Sequence, residues 1–189
     1  GGTVQRLEVN GRPVVIDYNG YFLTLPPAAL QRGANTVTIE FEHPYDIDGT
    51  GLHRFVDPVD GLTYLYTYLW PCYANRLFPV FDQPNLKATI SLSVLAPRDW
   101  TVVSTGTAST EAAGNGTTLW RFSTTPPMST YVFSLHAGPC RIWQDDADGV
   151  PIRLMARQSL APFVAVDEWF DIARRGLAFY GRYFEIPYP

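Results

Sequence analysis

The three histidines, His43, His53 and His136, are the first residues to consider for metal binding or acid–base chemistry. None has a second histidine three or four positions away, the spacing at which a helix presents two zinc ligands on one face. The sequence also lacks a G-x-S-x-G elbow, a P-loop and a G-x-G-x-x-G motif. We therefore expect no zinc, nucleotide or acyl-transfer site within this chain, and each histidine is more simply explained as a turn or strand residue.

Two further motifs are better explained as turns than as sites. The acids of Asp145–Asp148 precede Gly149 as in a calcium loop, but Met155 stands where such a loop requires a bidentate acid. Asn115-Gly116-Thr117 fits the glycosylation sequon, and Asn-Gly is equally the dipeptide of a tight hairpin. A turn accounts for each motif.

Aromatic residues occupy every second position from Tyr64 to Trp70. In a strand, one face would carry Tyr64, Tyr66, Tyr68 and Trp70, and the other would carry Leu65, Thr67 and Leu69. Such a face is either the aromatic half of a core or a platform that lines a cleft with phenol and indole donors. The sequence leaves both interpretations open. In the proline-bounded segment that follows, we expect Arg76 and Asp82 to pair.

Composition and charge exclude several classes of protein. Charged residues make up 17% of the 189 residues and hydrophobic residues 46%, a balance opposite to that of disordered chains. The net charge is −4 and no run of Lys or Arg is present, so we expect no nucleic-acid partner. No apolar stretch approaches the roughly 20 residues that span a bilayer, and we expect no membrane partner.

The compartment is not fixed by the sequence. Cys72 and Cys140 could form a disulfide, but two cysteines in a chain of this size are more often buried free thiols. No basic and apolar leader opens the chain, although a leader removed from a mature protein would leave no trace. The cytoplasm is weakly favoured, with a periplasmic or secreted location left open.

Alternating patterns and turn dipeptides predict an antiparallel β fold. Asn10-Gly11 and Asn19-Gly20 are hairpin signals, and Thr36–Glu42 alternates strictly between apolar and polar residues. Strands are expected at Leu7–Val9, Val14–Tyr18, Tyr21–Leu25, Thr36–Glu42, Tyr64–Trp70, Ala88–Val94, Trp100–Val103, Leu119–Ser123, Tyr131–Ala137 and Val150–Ala156. The fold class is therefore mainly β, with antiparallel strands.

One amphipathic helix is predicted after the strands. Its apolar stripe has spacings of three and four residues and comprises Phe163, Val166, Phe170, Ala173, Leu177, Tyr180 and Phe184. Prolines in Ile186–Pro189 prevent its continuation. We expect a β-sandwich domain over residues 1–157 and a connecting helix over residues 158–189.

Several sequence blocks resemble the N-terminal domain of aminopeptidase N-type zinc peptidases. These blocks are Gly51–Phe55, Asp57–Gly61, Tyr64–Thr67, Asn75–Ala88, Ala96–Ser104 and Ile186–Pro189. The resemblance implies a curved, saddle-like antiparallel β-sandwich that packs over a thermolysin-like catalytic domain and closes one side of its active site. The family's zinc helix and substrate loop belong to that following domain, so zinc is expected in the full-length enzyme and this chain alone is expected to be inactive. By the same comparison, we expect the chain to be a fragment that lacks the first strands of its domain.

The resemblance also locates the residues expected to meet substrate. In the family, a Gln-x-Glu or Gln-x-Gln pair holds the free α-amine of the peptide, and the corresponding positions here are Tyr68 and Trp70. Neither supplies a carboxylate, but the ring face of Trp70 can bind an ammonium ion. Substrate contact on the S1 side is assigned to Tyr66, Tyr68 and Trp70. The alternative is a stand-alone or pseudoenzyme β-sandwich that uses its aromatic strand as a binding or scaffolding surface.

Overall fold

The computed structural model describes residues 1–186 and 188, and antiparallel strands dominate this part of the chain. The elements are β1 (Thr3–Val9), β2 (Arg12–Pro13), β3 (Asp17–Tyr18), β4 (Leu23–Thr24), β5 (Val37–Glu42), β6 (Gly51–Val56), β7 (Thr63–Tyr68), β8 (Ser93–Pro97), β9 (Thr101–Ser104), β10 (Ala108–Gly114), β11 (Thr117–Phe122), β12 (Leu135–Gly138), β13 (Arg141–Ala147), β14 (Val150–Ala156) and α1 (Val166–Phe184). The predicted fold class, mainly β with a C-terminal amphipathic helix, is confirmed.

The main core lies between two sheets. A four-stranded sheet has the order β6-β7-β12-β9, and a three-stranded sheet has the order β10-β11-β8. Leu65, Val102 and Ala137 from the first sheet join Ala96 and Phe122 from the second in one buried cluster. Because side chains alternate along a strand, β7 has one side in this core and one side facing away from it.

A second region is built on the sheet β2-β1-β5. Leu7 and Val9 of β1 are buried, and β1 pairs with β5 over nearly its full length. The alternation predicted for Thr36–Glu42 is confirmed, since Val37, Ile39 and Phe41 of β5 all line one open cavity of about 430 Å³.

Three of the predicted turns are confirmed by their backbone conformation. Asn10 and Gly11 have φ of 52° and 74°, and Asn115 and Gly116 have φ of 46° and 73°. Asp148-Gly149 likewise turns the β13–β14 hairpin with positive φ at both residues. These short polar residues and glycines tolerate the left-handed conformation that two-residue hairpins require.

Several of the predicted strands differ from the structure, and Tyr21–Leu25, for example, contributes only the short β4. Ala88–Val94 is mostly irregular, and β8 begins only at Ser93, although Ala88 still pairs with Met128. Tyr131–Ala137 begins instead as a 3-10 turn over Thr130–Val132 that precedes β12. Val14–Tyr18 contributes only the short β3. In Ala88–Val94 and Tyr131–Ala137, the residues Ile90, Leu92 and Phe133 pack in the core without continuous ladder pairing, because the apolar pattern specifies burial and leaves the hydrogen-bond partner undefined. In Val14–Tyr18, Val15 and Ile16 are exposed.

The polar contacts of Arg157, Gln158 and Ser159 fix the connection between the sheets and α1. Arg157 donates to Asp57 Oδ2 at 2.7 Å and lies over the Phe55 ring at 4.5 Å, and the Ser159 hydroxyl donates to the same Asp57 oxygen at 2.6 Å. These hydrogen bonds, led by that of Ser159, hold the pKa of Asp57 below its usual range. The boundary near residue 157 stays a prediction, and the contacts of Asp57 cross it.

Helix α1 packs on the β13–β14 hairpin through a short part of its apolar stripe. Phe170 is 7% exposed, and Arg174 pairs with Asp145 of β13. The acids Asp167 and Glu168 lie in the first turn and Arg182 lies in the last, as the helix dipole favours. Phe170 is therefore the main apolar anchor of the helix among the described residues.

We expect Phe170→Ala to lower the free energy of unfolding of α1 by about 3 kcal/mol, because a buried ring is removed and a cavity is left. Amide hydrogen exchange along the helix measures this local loss. The control is Phe179→Ala, which removes the same side chain from an exposed site on the same helix and should cost less than about 1 kcal/mol. Equal effects of the two substitutions would contradict the assignment of Phe170 as the anchor.

Candidate functional site

The aromatic series of β7 separates into one buried ring and three exposed ones. Tyr64 is 4% exposed, whereas Tyr66, Tyr68 and Trp70 are 36%, 46% and 59% exposed. Leu65 and Leu69, on the opposite side, belong to the buried clusters. Tyr64 is therefore packed inside the structure, Tyr66 and Tyr68 form an exposed aromatic face on β7, and Trp70 is exposed just beyond the end of the strand.

The strand is shorter than predicted, because β7 ends at Tyr68 and Trp70 lies beyond it. After Leu69 the chain turns, and the Tyr73 N–H donates to the Leu69 carbonyl at 2.9 Å. Pro71 has no N–H with which to continue a ladder. The prediction that Trp70 belongs to the strand is thus wrong.

The hydroxyl of the buried Tyr64 has two hydrogen-bond partners inside the structure. The hydroxyl donates to Asp60 Oδ2 at 2.9 Å and accepts from the Gln158 N–H at 3.0 Å. Burial raises the pKa of Tyr64 above its ordinary value, so the phenol stays neutral. This residue joins the turn between β6 and β7 to the connection before α1.

Two histidines flank Tyr66 across the sheet. In the strand register, Tyr66 lies opposite His53 of β6 and His136 of β12. The His53 and Tyr66 rings have centroids 4.8 Å apart and planes inclined by 39°. Burial lowers the pKa of His136, which favours the neutral ring at pH 7. Tyr66 and His136 also line an open cavity of about 370 Å³ with Met155 and Arg157.

Arg76 does not form the ion pair that the sequence predicted. It pairs with Asp46 at 2.6 Å and Asp48 at 2.9 Å, while Asp82 accepts from the Thr130 hydroxyl at 2.8 Å. The reason is the 3-10 turn Ala74–Arg76, which directs the Arg76 side chain toward the loop before β6. The expected Arg76–Asp82 pair is therefore wrong.

Both carboxylate oxygens of Asp48 accept hydrogen bonds. The Thr50 hydroxyl and N–H donate to Asp48 Oδ1 at 2.8 and 3.1 Å, and Arg76 binds Oδ2. These contacts, led by the Thr50 hydroxyl, lower the pKa of Asp48 to about 2. The carboxylate therefore keeps its charge throughout the physiological range.

The cysteines do not pair. Cys72 is exposed and Cys140 is partly buried, and both are free thiols. Burial raises the pKa of Cys140, so its thiolate is disfavoured. The disulfide that the sequence left open is not formed.

The roles of His53, Asp46 and Arg76 near the aromatic face were not predicted from the sequence. His53 was explained only as a turn or strand residue. The pairing of Gly51–Val56 with Thr63–Tyr68 across the Asp57–Gly61 turn could have placed His53 opposite Tyr66. No signal in the sequence identifies Asp46 as the partner of Arg76.

Neither a metal site nor a membrane span is found in the described part of the chain. Across residues 1–186 and 188, no three His, Cys, Asp or Glu side chains come together as a ligand group. Within the same residues, no helix is long and apolar enough to cross a bilayer.

Sequence comparison places this β-sandwich in a known class of peptidase domains. The profile of the Peptidase M1 N-terminal domain matches residues 6–132. The chain belongs to this family, which confirms the resemblance noted above.

The similar proteins include aminopeptidases from bacteria and yeast. The chain is 38% identical over 161 residues to aminopeptidase N of Streptomyces lividans, and the aligned region covers 83% of this chain and 18% of that protein. It is 32% identical over 173 residues to aminopeptidase N of Acetobacter pasteurianus, with coverages of 86% and 46%. It is 28% identical over 193 residues to an alanine/arginine aminopeptidase of Saccharomyces cerevisiae, with coverages of 98% and 21%. The chain thus spans less than half the length of each of these relatives.

Proposed function

We propose that this chain is the non-catalytic N-terminal domain of a zinc aminopeptidase, in which it covers the active site and lines the S1 side. The whole enzyme would remove N-terminal amino acids from peptides. The family match and the aminopeptidase relatives support this proposal. The observation that carries it is the exposure of the Tyr66, Tyr68 and Trp70 rings, on and just beyond a strand whose Leu65 belongs to the buried core.

The chain exposes more surface than a folded monomer of its mass, which supports a partner that covers part of that surface. The accessible area is 12814 Å², whereas a folded monomer of this mass exposes about 9,000 Å². Part of the difference lies on α1, where stacked pairs of exposed rings form a patch. The patch consists of Phe179, Tyr180, Tyr183 and Phe184. We propose that the downstream catalytic domain of the same polypeptide covers this patch.

The zinc ion of the family is assigned to residues outside this chain. The described residues do not fit the ion, since they bring no set of three ligands together. In a full-length enzyme, bound zinc supplies Lewis-acid activation of water and of the scissile carbonyl. The part played by this chain is to bind and orient the peptide and to exclude water.

Trp70 is the residue proposed to meet the substrate's α-amine. A ring face binds an ammonium ion with about 0.5–2 kcal/mol, depending on desolvation. Because a carboxylate would bind the same ion more strongly, an Asp or Glu at this position should improve recognition of a free N-terminus. Tyr66 and Tyr68, which are exposed on the preceding strand, would contact the first side chain.

In the full-length enzyme, we expect Trp70→Ala to raise KM for aminoacyl substrates about 2- to 30-fold with a smaller change in kcat. Trp70→Glu should lower KM. The control is Tyr21→Ala, which removes an exposed ring from the β3–β4 turn and should change neither constant. Unchanged KM in Trp70→Ala, Tyr68→Ala and Tyr66→Ala alike would overturn the proposed S1 wall.

A β-sandwich binding or scaffolding module is the second candidate. It is favoured by one observation: two exposed aromatic residues, Tyr68 and Trp70, stand where the resemblance places amine ligands. A full-length protein that binds zinc but releases no amino acid from peptides, and whose aromatic face binds a protein or carbohydrate, would establish this alternative.

A further inference from the structure

The loop before β6, loop 46–50, is held in place by hydrogen bonds from one guanidinium group, that of Arg76. Arg76 Nη2 donates to Asp46 Oδ1 at 2.6 Å and Nη1 donates to Asp48 Oδ2 at 2.9 Å, with a further contact to the Thr50 hydroxyl. The Asp46 side chain is 6% exposed, and its second oxygen accepts from the Leu52 N–H at 3.2 Å. A planar guanidinium can bridge two carboxylates in this way, whereas an ammonium offers one compact charge.

The backbone of Asp46 is hydrogen-bonded to the two residues that flank His53, Leu52 and Arg54. The Asp46 N–H donates to the Leu52 carbonyl, and the Arg54 N–H donates to the Asp46 carbonyl, each at 2.9 Å. Asp46 is thereby paired in parallel with His53 at the edge of the four-stranded sheet. The position of the β6 backbone around His53 is therefore tied to the Asp46–Arg76 ion pair.

The same loop also fixes the His53 ring. The Gly49 N–H donates to His53 Nδ1 at 3.0 Å. Since Nδ1 accepts, the neutral ring carries its proton on Nε2. Loop 46–50 thus selects both the orientation and the tautomer of the ring.

The fixed His53 ring lies against Tyr66. The two residues face each other in the β6–β7 register, with ring centroids 4.8 Å apart. His53 is almost fully buried and Tyr66 is partly exposed. A buried, hydrogen-bonded ring on one side restricts the rotamers that the exposed ring can adopt.

We propose that Arg76 is a positioning residue for the aromatic face: through Asp46 and loop 46–50 it fixes the His53 ring, and His53 holds Tyr66 in place. The functional part of this inference rests on the proposed function, because it takes Tyr66 as part of the substrate wall. The chain of contacts from Arg76 to Tyr66 is independent of that function. The two parts are therefore tested by different measurements.

The contact chain is tested on the 189-residue chain by ¹⁵N NMR of the histidine rings. Arg76→Met should shift the His53 Nδ1 signal and mix the two tautomers, while the His136 signals stay unchanged. The matched control is Arg121→Met, which removes an Arg–Glu pair of 2.9 Å on the exposed β10–β11 hairpin. An unchanged His53 spectrum in folded Arg76→Met overturns the proposal. If Arg76→Met does not fold, Arg76→Lys serves in its place, since its ammonium cannot bridge Asp46 and Asp48 together.

The functional part is tested by a double-mutant cycle in the full-length enzyme. Arg76→Met should raise KM about 10-fold with little change in kcat. His53→Phe keeps a ring beside Tyr66 but cannot accept from Gly49, so Arg76→Met should add little to KM in that background. Additive effects of the two substitutions would overturn the coupling. If Tyr66→Ala leaves KM unchanged while the His53 spectrum still responds to Arg76→Met, the substrate wall is wrong and the contact chain stands.

Discussion

Replacing Gly51 with alanine should lower the free energy of unfolding by about 3 kcal/mol or more. Gly51 has φ of 63°, and a Cβ built on it lies 2.1 Å from Asp46 Oδ2 and 3.0 Å from Arg76 Cβ. Asp46 cannot move aside without losing its contacts with Arg76 and the Leu52 N–H. The expected cost is therefore the sum of a left-handed alanine and an overpacked, ion-paired carboxylate. Chemical denaturation monitored by tryptophan fluorescence measures it.

The matched control is Gly116→Ala on the β10–β11 turn. Gly116 has φ of 73°, but a Cβ there meets no atom within 4 Å. The substitution should therefore cost only about 1 kcal/mol, the backbone part of the effect. If Gly51→Ala and Gly116→Ala were equally destabilised, the loop before β6 would have room that the structure does not show.

Replacing Asp57 with asparagine should lower Tm by about 5–10 °C at neutral pH. The side chain is almost fully buried, and its oxygens accept from Arg157, Ser159 and the Val59 N–H. Asparagine has nearly the same size but lacks the charge and one acceptor, so it leaves Arg157 without its partner. Differential scanning calorimetry measures the change.

The effect of this substitution should depend on pH. The pKa of Asp57 is lowered in the folded chain, so its stabilisation is present above the unfolded-state pKa of about 3.8 and lost as pH falls through the folded-state pKa. The stability difference between the wild type and Asp57→Asn should therefore shrink below about pH 4. Glu111→Gln is the control, since its pair with Arg121 is exposed and should change Tm by less than about 2 °C. A difference for Asp57→Asn that is constant from pH 7 to pH 3 would contradict the ion-pair explanation.

Local sequence patterns were sufficient to predict the turns at Asn115-Gly116 and Asp148-Gly149 and the C-terminal helix. Asn115-Gly116 and Asp148-Gly149 turn as expected because few residues tolerate positive φ, so their sequence signal is strong. The helix lies within the predicted stripe, although it begins at Val166 and Phe163 lies in the preceding 3-10 turn. In contrast, Ala88–Val94 alternates as well as any strand, and yet only its last residues enter a ladder. Alternation reports which side is buried and does not supply the neighbouring strand.

Only some features of the candidate site could be predicted, because alternation does not identify which distant residues come into contact. Alternation places Tyr66 and Tyr68 opposite the buried Leu65 but did not determine their exposure, since Tyr64 on the same side is buried. The partners of Arg76 did not follow, because Asp46 and Asp48 are about thirty positions away and nothing nearby favours them over Asp82. His53 was found beside Tyr66 only through the strand register, which depends on the turn at Asp57–Gly61. Pairings over long sequence distances require the folded backbone.

The hydrogen bonds of Asp57 to Arg157 and Ser159 have a mechanical consequence. They attach the entry to α1 directly to the turn that joins β6 and β7, and β7 bears Tyr66. A displacement of residues 157–159 would therefore also displace the turn that precedes β7.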